Sequence, residues 1–161
     1  MKSKQIATCG LLTTVALVLS YIESMIPLSI AVPGVKIGLA NIAIVFALYK
    51  LGAPAAWMIS GMRVAIVAAL FGGFTAIAYS ACGAACSLLV MMVAKRAFSC
   101  VGTSVAGGIA HNVGQIACAI ALLGAKQIAY YLPMLIVSGT VSGIAIGALA
   151  GVLVARIMPT S

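Results

Sequence analysis

Residues 132–155, LPMLIVSGTVSGIAIGALAGVLVA, run without a single charged side chain. A bilayer core about 30 Å thick is crossed by a helix of about 20 apolar residues, so the stretch reads as one membrane span. The rest of the chain has the same character. Of its 161 residues 65% are hydrophobic and 6% charged, with a mean hydropathy of +1.29, where a soluble domain is about one quarter charged. The chain reads as an all-α integral membrane protein, a single domain over residues 1–161, with no length left for a soluble domain.

Breaking the apolar stretches at glycine, proline and charge predicts six helices, at about 5–23, 38–51, 53–71, 74–94, 99–124 and 128–157. The second is short. Before it lies a segment whose Pro27, Pro33 and Gly34 argue against continuous helix. Met-Lys-Ser-Lys followed by an apolar run mimics a signal peptide, but residues 20–24 show no small-x-small cleavage pattern, so this run is expected to stay as the first helix.

Basic residues collect on the cytoplasmic side of membrane proteins. With the N-terminus inside, that side holds Lys2, Lys4, Lys50, Lys95, Arg96 and Arg156, and the outer side only Lys36 and Lys126. The expected topology is therefore a multi-pass protein of the cell membrane, a six-transmembrane-helix bundle with both termini cytoplasmic. The net charge of +8 does not point to nucleic acid, because the cations are scattered singly and no aromatic residues interleave with them.

Small residues at a four-residue spacing let another backbone approach closely in lipid. Gly139, Gly143, Gly147 and Gly151 have that spacing, and packing against a neighbouring helix of the same chain is favoured over a dimer interface. Five cysteines lie in or beside apolar segments, where Cys behaves as a small hydrophobe. Disulfides are not expected. Cys82 and Cys86 share a helix face but lack the further ligands of a metal site.

Polar side chains inside a bilayer usually face a protein interior and are candidates for function. Arg63 lies near the middle of the third helix, where insertion alone costs about 2.5–3.5 kcal/mol. Glu23, the single acidic residue of the chain, closes the first helix and meets Arg63 if the two helices adjoin. His111 and Gln115, four apart, share one face of the fifth helix, and Asn112 flanks it. With Asn41 at the start of the second helix they form a polar cluster in the middle and outer part of the bundle. The competing explanation is that His111 and Asn112 merely hydrogen-bond across helices; the polar residues taken together favour a ligand pocket. Lys126 beside Tyr130 and Tyr131 reads as an interfacial anchor.

Most catalytic readings fall away. No phosphate-binding G-x-x-x-x-G-K-[ST] loop is present. With no aspartate and one glutamate, paired carboxylates for acid–base work or a multidentate magnesium site are unavailable to this chain. It is expected to be no enzyme and to need no cofactor.

The blocks ESMIPLSIAVPGVKIGLANIAIVFALY, ISGMRVAIVAALFGG, VAGGIAHNVGQIACA and YYLPMLIVSGTVSGIAIG resemble the Gx transporter family, also labelled heptaprenyl diphosphate synthase component I. The similarity covers essentially the whole length and is most specific over residues 33–41 and 110–115. The family is similar to S components of energy-coupling factor transporters. That resemblance implies a six-helix subunit that binds a small nutrient or cofactor precursor near its outer face, using the loop after the first helix and the later helices. It implies as partners an energy-coupling membrane subunit and cytoplasmic ATPases. Where many S components carry Ala-x-x-x-Ala on the first helix, this chain has Cys9-x-x-x-Thr13 and Gly10-x-x-x-Thr14. The second family label implies an alternative, a membrane accessory subunit of prenyl diphosphate or quinone-precursor synthesis, in which the aspartate-rich chemistry belongs to a partner.

The expected substrate-binding residues are Glu23, Lys36, Asn41, Arg63, His111, Asn112 and Gln115. Arg63 and Lys36 set against Glu23 mildly favour an anionic ligand.

Overall fold

The structure is a computed structural model that describes residues 3–26, 37–71 and 74–157. Among these the elements are α1 (Ser3–Ser24), α2 (Asn41–Lys50), α3 (Ala53–Phe71), α4 (Phe74–Ala94), α5 (Cys100–Leu123), a 3-10 turn (Lys126–Tyr131) and α6 (Leu132–Ile157), with no strand. Lys2 and the segment holding Pro27, Pro33, Gly34 and Lys36, expected to break the helix, lie outside the described residues.

Local chemistry accounts for most boundaries. Ser99 caps α5 by accepting the Gly102 N–H at 3.3 Å, and Gly124, at φ 66°, closes that helix in the left-handed conformation L residues avoid. Pro133 has no N–H for the carbonyl four residues back. The chain before it winds as a 3-10 turn, so the last helix begins at Leu132 rather than at the predicted 128. The second helix is likewise shorter than the predicted 38–51. Gly38 has φ 77° and its carbonyl accepts the Asn41 N–H at 2.8 Å, so a turn occupies residues 38–40.

Five helices are long and apolar enough to cross a membrane. The exception is α2, whose 10 residues span about 15 Å, half of the hydrocarbon thickness. It is a core helix. Ala43 through Leu48 are all buried, with α1, α3 and α6 packed around it. A helix that is apolar on every side is stable only when enclosed. The far end of α2 is held by Lys95, whose ammonium donates to the Leu48 carbonyl at 3.3 Å, and by a 2.9 Å hydrogen bond between the Tyr49 and fully buried Thr103 hydroxyls.

The α4–α5 and α5–α6 seams are the most extensive contacts of the bundle. The glycine stripe of α6 belongs to the second of them. A Cβ added at Gly143 would sit 2.6 Å from the Val105 Cα, one at Gly147 2.6 Å from the Val101 Cα, and one at Gly139 3.0 Å from the Gly108 backbone. The stripe therefore serves backbone-to-backbone packing within the chain. Gly151 differs, its nearest neighbour being the Cys100 side chain at 3.7 Å.

Candidate functional site

The centre of α5 is built for close approach on two sides. Toward α4, Gly83 lies so near that an added Cβ would meet the Gln115 Cγ at 2.8 Å, the His111 carbonyl at 2.9 Å and the His111 Cε1 at 3.0 Å. Toward α6, a Cβ on Gly108 would be 2.6 Å from the Gly139 carbonyl oxygen. With both neighbours this tight, the polar side chains of α5 cannot be spread into lipid. They turn into the seam between the helices.

That seam opens into a small, partly enclosed cleft. Glu23, Asn41, Arg63, His111, Asn112 and Gln115 all lie on its wall, brought there by α1, α2, α3 and α5. Lys36, the seventh expected residue, lies outside the described residues. Glu23 ends α1 and Asn41 begins α2. The cleft thus occupies the half of the bundle that faces away from the N-terminus, and reaches to mid-helix at Arg63 and His111.

Individual contacts divide these residues. The Glu23 Oε1 accepts the Gly38 N–H at 2.5 Å, which ties the end of α1 to the turn that starts α2. Helices α1 and α3 adjoin, and the Glu23 charge acts on Arg63. Among the described residues the two heads do not close into a direct ion pair. Asn112 donates to the Leu135 carbonyl at 2.6 Å, with its amide nitrogen 2.9 Å from where a Gly139 Cβ would be. It pins α5 to α6 as well as facing the cleft. His111 and Gln115 rest on Gly83 at the α4 side of the wall.

Three hydroxyls join the lining that sequence reasoning did not single out: Ser80 on α4, Ser104 on α5 and Ser142 on α6. Small hydroxyl residues are common where membrane helices meet, so only the tertiary arrangement distinguishes these. The rest of the wall is glycine backbone with Ile37 and Ile146. Among the residues whose side chains are described, which leaves out Phe71 and Phe74, no Phe, Tyr or Trp lines the cleft, and no three His, Cys, Asp or Glu side chains gather as a metal site. The described cysteines are all free thiols.

The arrangement offers one guanidinium, one carboxylate and a surplus of neutral hydrogen-bonding groups in a partly enclosed space. It is suited to holding a small polar molecule. Among known proteins, the family described as heptaprenyl diphosphate synthase component I matches residues 12–153. The chain belongs to that family. No curated protein and no solved structure matches it. The part that matches heptaprenyl diphosphate synthase component I contains every cleft residue named above, and the family name implies a partner component in a synthase complex.

Proposed function

We propose that this chain is a non-catalytic membrane subunit that binds a small molecule carrying an anionic group in the cleft and passes it across the bilayer, in the manner of an S component. The observation that carries this is the convergence of Glu23, Asn41, Arg63, His111, Asn112 and Gln115, from four helices, on one cleft. Scattered interhelical hydrogen bonds need no shared hollow. In this reading Arg63 receives the anionic group, and Asn41, His111 and Gln115 orient the molecule. Of the described basic residues outside mid-helix, Lys4, Lys50, Lys95, Arg96 and Arg156 belong to the end of the bundle opposite the cleft, and Lys126 to the cleft end. By the bias of Lys and Arg toward the cytoplasm, the cleft then faces outward and both termini face inward. An energy-coupling membrane subunit with cytoplasmic ATPases would drive release.

The test is mass spectrometry of protein purified gently in a mild detergent. Wild type should retain a small molecule, and Arg63→Ala and His111→Ala should each lose at least about 90% of it while keeping helical content and a monodisperse elution. Retention unchanged in both variants overturns the reading.

The family name favours a second reading, an accessory subunit of prenyl diphosphate synthesis. The chain has no aspartate, so metal–diphosphate chemistry would reside in the partner. Recovery of a soluble, aspartate-rich synthase with the tagged membrane protein supports this second role, and recovery of an ATPase module supports the first.

A further inference from the structure

Granting that the cleft is a binding site, the placement of its charges narrows the ligand. The single carboxylate of the chain and the arginine in the middle of α3 line the same cleft. They act on each other electrostatically, yet among the described residues they form no contact ion pair. Two opposite charges held apart in a low-dielectric space each lack a full partner, a costly condition that a bridging group of two charges relieves.

The carboxylate is also fixed. One oxygen of Glu23 is occupied by the Gly38 N–H, which leaves its other oxygen to receive a donor. Between and around the charges the wall supplies neutral acceptors and donors, from Asn41, Ser80, Gln115 and Ser142. The His111 imidazole is the one ring that the described side chains bring to the cleft. A quaternary ammonium is held by a cage of several aromatic faces, and the described lining offers a single imidazole. A diphosphate calls for several cations, whereas the described lining supplies Arg63 and sets a carboxylate beside it.

We infer that the cleft takes a small zwitterion, with its carboxylate on Arg63 and its protonated amine on Glu23. A simple anion leaves Glu23 repelling it from across the cleft. A simple amine leaves Arg63 doing the same. A molecule with both ends satisfies both walls at once.

The experiment uses the full chain in lipid nanodiscs. Equilibrium dialysis is run against four radiolabelled probe sets: an equimolar pool of the twenty proteinogenic amino acids, the same pool N-acetylated, the same pool as carboxyl amides, and inorganic phosphate. The free amino-acid pool should bind, and capping either end should weaken binding at least tenfold. Glu23→Gln keeps an oxygen for the Gly38 N–H but removes the charge. In that variant the N-acetylated pool should bind at least tenfold better than it binds wild type, and the free pool should lose its advantage.

The inference is overturned if the N-acetylated pool or phosphate binds wild type as tightly as the free pool, or if Glu23→Gln leaves the preference unchanged. It is overturned too if no probe binds while the copurified molecule is still lost on Arg63→Ala; the cleft then remains a binding site for another class. If no probe binds and Arg63→Ala loses nothing, the binding reading falls with it.

Discussion

Replacing Gly143 by alanine tests the seam on which the cleft depends. The new Cβ would lie 2.6 Å from the Val105 Cα, 3.0 Å from its nitrogen and 3.1 Å from the Ser104 carbonyl oxygen. All three are backbone atoms of α5, so no side chain can rotate away. Helix α6 must shift by about 1 Å to restore ordinary contact. Overpacking of this kind costs about 1–3 kcal/mol. Alanine returns up to about 1 kcal/mol through its better helix propensity. The net destabilisation is about 0–2 kcal/mol, or up to about 8 °C in Tm at about 2–4 °C per kcal/mol for a chain of this size, and Gly143→Ala should melt about 1–3 kcal/mol below an alanine variant free of overpacking.

Gly151→Ala is the internal control, since its Cβ meets only the Cys100 side chain at 3.7 Å. It should be neutral or slightly stabilising. The assay is thermal unfolding of both variants in one detergent, followed by circular dichroism and by loss of the monodisperse peak. Ser104 sits both at this seam and on the cleft wall, so ligand retention should fall with Gly143→Ala as well. Equal Tm values for the two variants would refute the claim that the stripe is an α5–α6 contact. A change of oligomeric state without a change in Tm would assign it to an interface between chains.

Two further outcomes follow from named contacts. Asn112→Leu removes the 2.6 Å hydrogen bond to the Leu135 carbonyl and should lower stability by about 0.6–1.7 kcal/mol, from the average to the maximum found for interhelical hydrogen bonds in a membrane bundle; a variant as stable as wild type in chemical denaturation would show that the bond carries no packing role. The Cys82 and Cys118 thiols face each other across the α4–α5 seam. Copper-phenanthroline should therefore join them within one chain, seen as a single linked peptide pair by mass spectrometry, and linkage of Cys86 to Cys118 instead would mean that the α4–α5 register differs by one turn.

Several features were legible in the sequence because lipid imposes them residue by residue. A chain this apolar must be helical and satisfy its backbone within each helix. Glycine and proline set the breaks, and α3 and α4 run over Ala53–Phe71 and Phe74–Ala94, the expected 53–71 and 74–94. Arg63, Glu23 and the 111–115 cluster stood out for the same reason, as each is expensive in hydrocarbon. The glycine spacing on α6 pointed to close packing without naming the partner helix.

Which groups meet was a matter for the tertiary structure alone. Hydropathy is the same for a helix that crosses lipid and one enclosed by its neighbours, so the half-length, core character of α2 emerged only when α1, α3 and α6 closed around it. Ser80, Ser104 and Ser142 became cleft residues only because glycines on α4, α5 and α6 bring three backbones together at that level. The bond from the Gly38 N–H to one Glu23 oxygen, across fifteen residues, is likewise made only by the folded chain. Transfer cost acts on each side chain singly and is written in the order of residues. Distance between charges is a property of helices packed far apart in sequence.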